Sequence, residues 1–163
     1  MEWSGDAIVL SARKYGEADA LVDVLARDQG RYRGYVRGGM GRRQRGVLQA
    51  GNAVSVTWRA RLEANMGNLT LELKEARASQ LFDQPAALAA LTSATALLLS
   101  VLPEREPHPR LYEAFGGFLD FLCGHPAESE LWGAAMVKFE VGLLGELGFG
   151  LDLSQCAATG ETE

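Results

Sequence analysis

Nine arginines, Arg27, Arg31, Arg33, Arg37, Arg42, Arg43, Arg45, Arg59 and Arg61, stand in a stretch whose single acid is Asp28, a local balance of +8. Six of them fall between Gly30 and Gly46, together with Tyr32 and Tyr35. In an extended chain, side chains alternate between two faces. Arg31, Arg33, Tyr35 and Arg37 then share one face, and Tyr32, Gly34 and Val36 the other. Guanidinium groups neutralise phosphates and aromatic rings offer any base a stacking surface, so this combination suits a single-stranded nucleic acid. The candidate binding residues are Arg31, Arg33, Tyr35, Arg37, Arg42, Arg43, Arg45, Arg59 and Arg61. No base-reading code is visible, so binding should be largely indifferent to sequence. The plainer alternative is a solvated basic surface, with Tyr32 in the core and Tyr35 either stacking a base or packing under an arginine stem.

Other chemistry is hard to assemble. The two histidines, His108 and His125, lie beside prolines in expected loops and read as solvated residues rather than bases. There is no G-x-S-x-G, no H-E-x-x-H and no placeable carboxylate pair. The stretch "GGMGRRQRG" lacks the Lys and the hydroxyl of a phosphate-binding P-loop. Cys156 is followed at the C-x-x-C position by Thr159, which gives zinc too few ligands. These readings describe a protein that is not an enzyme and holds neither metal nor cofactor.

The charge is divided along the chain. The whole carries -5. Residues 1–77 hold 13 basic residues against nine acids, a balance of +4, and the remainder holds three against 12, a balance of -9. Such asymmetry points to one half that meets a polyanion. The longest apolar run, "ATALLLSVL", is too short to span a bilayer, and "MEWSGDAIVL" lacks a basic n-region. The expectation is a cytoplasmic protein, nucleoid-associated if it binds DNA, with no membrane partner. Cys123 and Cys156 read as ordinary reduced thiols.

Elements that could position the arginines follow from periodicity. Runs at 7–13, 20–26, 31–37, 53–62 and 68–76 are short, rich in β-branched and aromatic residues, and separated by turn residues. Five such strands suit a small barrel. Val54, Val56, Trp58, Ala60 and Leu62 face inward in the fourth, and Leu69, Leu71 and Leu73 in the fifth. Residues 38–46 read as a mobile Gly-rich connection beside the basic face. From about residue 79 the period changes to helical. Leu88, Leu91, Leu98 and Leu102 mark one helix; Leu111, Phe115, Phe118 and Leu122 a second; Trp132, Met136, Phe139, Leu143 and Leu147 a third. The expected class is α+β, a five-stranded barrel followed by a small all-α bundle, with the boundary near 77–82.

Three stretches, "VLSARKYGEADALVDVLARDQGRYRGYVRGG", "LQAGNAVSVTWRARLE" and "FEVGLLGELGFGLDLSQCAATG", resemble the bacterial recombination mediator family RecO of the proteobacterial type. The resemblance covers essentially the whole chain in order and is weak only in the Ala/Leu-rich middle. It implies an OB-fold barrel over residues 1–78, a helical domain over 79–152, and the start of a C-terminal, zinc-element-like region over 153–163. It further implies a DNA-repair factor of the RecF pathway that binds single- and double-stranded DNA and anneals complementary strands. With RecR, such a factor helps load recombinase onto DNA coated by single-strand-binding protein, whose acidic tail is a further contact. By position, Arg31, Arg33, Arg37, Arg42, Arg43 and Arg45 would form the DNA surface, with Arg59 and Arg61 as neighbours. Two departures stand out: Thr159 replaces a family cysteine, so a zinc site does not carry over, and the family's usual C-terminal region is absent after Glu163. Two other readings stay open, an adapter that binds repair proteins through its acidic helical half and basic face, and an RNA-binding OB module.

Overall fold

The computed structural model describes residues 1–125, 129–156 and 158–162. Five strands, β1 (Glu2–Tyr15), β2 (Asp19–Ala26), β3 (Gly30–Val36), β4 (Ala53–Arg59) and β5 (Asn68–Glu75), close into a barrel in the order β1-β2-β3-β5-β4. All neighbours are antiparallel except β3 and β5, which meet in parallel through Tyr35 and Asn68. That order is the one expected of an OB-type barrel. β1 is long enough to serve two partners, pairing with β4 through Glu2–Ile8 and with β2 through Ala7–Tyr15. A register shift between Val9 and Ser11 bends it from one to the other.

The interior is filled by alternate side chains. Val22, Val24, Val54, Val56 and Trp58 are almost fully enclosed, and Tyr32 sits edge-on to Trp58 with centroids 5.4 Å apart. Alternation in the fourth run holds only as far as the strand does. β4 ends at Arg59, and Leu62, beyond it, is 65% exposed. Leu73 of β5 is exposed as well, because an irregularity in the β4–β5 pairing falls at Ala53–Val54, opposite it.

The expected mobile connection is instead a turn and a helix, α1 (Arg42–Val47). Its neighbours anchor it: Leu48 is buried in the barrel core, and Met40 and Val47 pack against that core. Buried Asn52 fixes its end, donating from Nδ2 to the carbonyls of Gly46 and Val47 while Oδ1 accepts the amide of Ala78. Apolar residues spaced among arginines supplied that anchoring, a signal the glycines obscured.

Four further helices follow, α2 (Arg77–Leu81), α3 (Pro85–Val101), α4 (Pro109–Gly124) and α5 (Ser129–Glu146). Pro85 and Pro109 occupy first turns, where a missing N–H costs nothing. The expected stripes are buried: Leu91 and Leu98 in α3, Phe115 and Leu122 in α4, Trp132 and Phe139 in α5. Ile8, Leu10 and Leu25, on the outer surface of the barrel, belong to the same apolar cluster as these helices. Buried Arg77 adds a polar tie from Nε to Asp120 Oδ1 at 2.8 Å, with Glu75 at 3.1 Å.

His108 corrects an expectation. It is 8% exposed, at the start of α4, with Glu146 at 3.7 Å and Glu106 at 3.9 Å, and it is not a solvated loop side chain. His125 closes the same helix, its ring stacked on Phe121 and its Nδ1 3.0 Å from the Phe121 carbonyl.

Candidate nucleic-acid interface

The period-two reading of β3 holds: Tyr32, Gly34 and Val36 are buried, while Arg31, Arg33 and Tyr35 face out. The strand is nonetheless divided along its length. β5 joins β3 only at Tyr35, so the first half of β3 has an edge without a strand partner. The connection between α3 and α4 fills it. Glu104 forms a parallel bridge with Arg31, and the amide of Arg105 donates to the Arg31 carbonyl at 2.8 Å. The guanidinium of Arg105 lies over the rings of Tyr32 and Trp58, at 5.4 and 5.7 Å, and donates to the carbonyls of Glu63 and Asn65 in the β4–β5 loop. This strap depends on Gly30, whose φ is +76° and whose place leaves no room for a side chain, since a Cβ would stand 1.8 Å from the Glu106 carbonyl oxygen.

The strap also changes what Arg31 and Arg33 do. Both surround Asp23, a β2 carboxylate only 3% exposed, with Arg33 Nε 3.0 Å and Arg31 Nη1 3.5 Å from Oδ1. Ser11 donates to its other oxygen at 3.0 Å, and Glu104 lies 3.7 Å from each guanidinium. Two cations meet two anions, and the Arg31 side chain retains 11% of its exposure. The arginines at the centre of the expected patch are therefore engaged within the protein.

Past Arg33 the same face opens. Tyr35 lies beside Tyr15 of β1, ring centroids 4.6 Å apart and tilted by 43°. A hydrogen bond with Tyr15, then partial desolvation and the charge of Tyr15, holds the Tyr35 phenol above its ordinary range. The register places Arg13 of β1 opposite Leu21 of β2, which is in turn opposite Tyr35. Arg37 follows in the turn leading to α1, where Met40 donates its amide to the Ala18 carbonyl at 2.9 Å. Arg37, Arg42, Arg43 and Arg45 are all exposed, and none forms an ion pair among the described residues. Arg45 borders a cleft of about 450 Å³ between β1 and Thr92 and Thr95 of α3.

Arg59 and Arg61 stand apart from this end. Arg59 faces out two strands from Tyr35, with Asn68 between, and donates to Glu2 at 2.9 Å. That bond lowers the pKa of Glu2 and raises that of Arg59. Arg61 is exposed in the β4–β5 loop. The nine expected residues thus fall into three groups: Arg31 and Arg33 under the strap, Arg59 and Arg61 near the β4–β5 loop, and Tyr35, Arg37, Arg42, Arg43 and Arg45 at the open end. Arg13 and Tyr15 of β1, with Lys14 between them, stand at that end and were not among the expected residues. Their signal was present, because Ser11 and Arg13 share one face of the expected run and Tyr15 continues it two residues past the expected end at residue 13.

The open end offers exposed guanidinium groups and two rings, groups that can pair with phosphates and stack on bases. Among the described residues no group of three or more His, Cys, Asp or Glu side chains could hold a metal. Cys156 is exposed, and its thiol is shifted below the ordinary range, chiefly by a hydrogen bond with Thr159 and then by the amides of Ala158 and Thr159.

An OB-type barrel strapped to a helical region, with a basic and aromatic end left open, defines an α+β protein of the oligonucleotide-binding fold class. The family model for the Recombination protein O N terminal matches residues 1–77, and that for the Recombination protein O C terminal matches residues 83–163. The chain belongs to the RecO family. It is 50% identical to the DNA repair protein RecO of Rhodospirillum centenum over 163 residues, all of this chain and 63% of that relative. Against the DNA repair protein RecO of Rhodospirillum rubrum it is 48% identical over 162 residues, 99% of this chain and 64% of the relative. For that of Gluconacetobacter diazotrophicus the figures are 46% over 162 residues, 98% and 63%. The chain spans a little under two thirds of the length of these relatives.

Proposed function

We propose that this chain is the DNA-binding and strand-annealing part of a repair and recombination mediator that makes and breaks no bond. The observation that carries the reading is the open end of the barrel, where Tyr35 meets Tyr15 and the chain that follows presents Arg37, Arg42 and Arg43 exposed. Arginines that neutralise phosphates on two strands lower the repulsion between them, so pairing nucleates more easily. Single and double strands both present phosphates, so both bind, and sequence preference is weak. On this reading the chain works in the RecF pathway and, with RecR, helps load recombinase onto DNA coated by single-strand-binding protein; its RecO family membership supports the repair role.

A groove of about 700 Å³ between α4 and α5 favours the accompanying protein contact. Phe118, Phe121, Leu131 and Phe139 give it apolar walls and Lys138 supplies a cation, which suits an acidic tail ending in Phe. No described helix is long and apolar enough to cross a membrane.

The test is an annealing assay with complementary oligonucleotides, one carrying a donor dye and the other an acceptor. The 163-residue chain should accelerate pairing at low salt and lose that effect as salt rises. Unchanged annealing together with undetectable DNA binding would overturn the reading and favour an adapter whose basic face serves an acidic protein.

A further inference from the structure

The tilted ring pair at the open end makes a contact and a hydrogen bond of its own but belongs to neither apolar core cluster. The register sets Leu21, which is 7% exposed, on the same face. Leucine would supply the apolar part of its cover. Tyr15 nevertheless keeps half of its surface in water. On the face of the rings stands Arg13, with Arg37 just past the end of β3, both exposed; exposed Lys14 pairs in register with core-facing Ala20, and the acids Glu17 and Asp19 lie at the β1–β2 turn. Asp19, the register partner of Tyr15, accepts the Gly38 amide at 2.8 Å through one carboxylate oxygen. The juxtaposition is a stacking surface flanked by guanidinium groups, which suits a strand that presents both phosphates and exposed bases.

We infer that the Tyr15–Tyr35 pair is a stacking step for unpaired bases and sets how strongly this chain prefers single-stranded over double-stranded DNA. This rests on the DNA-binding reading above and goes further by dividing the labour at the site. Arginines grip phosphates in either form, because both carry the same charge. A ring can stack only on a base that is free of its duplex. Loss of the rings must therefore weaken one form of DNA and spare the other, whereas loss of the arginines weakens both. A strand delivered with its bases held on Tyr15 and Tyr35, away from internal pairing, is also better placed to meet its complement.

The experiment compares the 163-residue chain with Tyr15→Leu/Tyr35→Leu and Tyr15→Phe/Tyr35→Phe, titrating fluorescent oligo-dT and a duplex of equal length at one salt concentration. Thermal melting checks that Leu21 remains covered. The leucine variant should lose at least about fivefold in single-strand affinity, the lower end of one stacked base, and less than twofold in duplex affinity. The phenylalanine variant should retain the native ratio. Photocrosslinking of an oligo-dT that carries one 5-iododeoxyuridine gives a readout independent of affinity, with the adduct expected on Tyr15 or Tyr35. A leucine variant with the native single-to-double-strand ratio, or adducts confined to other residues, overturns the inference. Native chain that binds neither DNA would instead remove the underlying DNA reading, a separate outcome.

Discussion

The outer face of β3 and the turn after it carries Arg31, Arg33, Tyr35 and Arg37 at one spacing, yet its two ends have different surroundings. Arg31 and Arg33 surround a buried carboxylate and lie under the α3–α4 strap; Tyr35 and Arg37 face solvent beside the β1–β2 hairpin. Their neighbours decide the difference. Asp23 comes from β2 and Glu104 from a loop more than 70 residues further along the chain, so nothing local to β3 separates the pairs. A charge run in a strand thus has no fixed meaning until its cross-strand partners are known.

The sharpest way to break this comparison is to remove each pair in turn. Arg31→Ala/Arg33→Ala leaves Asp23 buried with only Ser11 beside it, and breaking a buried ionic network of this kind costs about 3–5 kcal/mol. Urea unfolding should register a loss of that order. Arg42→Ala/Arg43→Ala, at exposed positions, should stay within about 0.5 kcal/mol. Comparable losses for the two variants would mean that the halves do not differ. A triple substitution of Arg31, Arg33 and Arg37 mixes both effects and separates nothing.

Glycine gives a second contrast of the same kind. Gly30→Ala must take a left-handed φ, costing about 1–3 kcal/mol, and its Cβ must also displace the Glu106 carbonyl. Gly38→Ala carries a φ of +63° in open space and should cost only about 1–2 kcal/mol. Melting temperatures should rank them in that order, and equal shifts would argue that the strap is not held at Gly30.

Glu104→Gln probes the strap as a competitor for phosphate. Arg31 and Arg33 stay engaged by Asp23 when Glu104 loses its charge, so affinity for single-stranded DNA should stay within about twofold of native at low salt, less than the gain a freed exposed pair worth about 1 kcal/mol would give. Any such small difference should vanish as salt is added. A severalfold gain at low salt would place phosphate within the reach of these two arginines.

The smallest effect concerns the thiols. Cys156 is shifted down by its bond with Thr159, and Cys123 is shifted up mainly by burial, so alkylation should set in at lower pH for Cys156 than for Cys123. Peptide mapping after iodoacetamide treatment across a pH series checks the order. Urea should bring the two rates together, and an order that persists there would belong to the chain rather than to its fold.

Most of the architecture was legible because it rests on periodicity. Alternation in β3, β4 and β5 marked the barrel's interior, and the stripes of Phe115 with Leu122 and of Trp132 with Phe139 marked the helical core. What escaped depended on distant partners. Helix α1 was hidden among glycines whose neighbours Met40 and Leu48 seek the barrel core. His108 is buried where α5, distant in sequence, brings Glu146 to 3.7 Å from it. The candidate site was half legible: Tyr35, Arg37, Arg42, Arg43 and Arg45 lie at the surface as expected without an internal ion pair among the described residues, Arg31 and Arg33 carry internal acids that their own strand does not reveal, Arg13 closed the expected first run, and Lys14 and Tyr15 lay just past its end.

The central claim is that the open end of the barrel, and not the strapped half of β3, meets DNA. Its most direct test is the salt dependence of single-stranded DNA binding for the native chain and for Arg37→Ala/Arg42→Ala/Arg43→Ala, followed by anisotropy. Each lost phosphate contact should remove about 0.7 from the slope of log affinity against log salt. The account predicts a slope lower by about 2 in the triple variant, with its melting temperature unchanged. A native slope in a stable triple variant would contradict it.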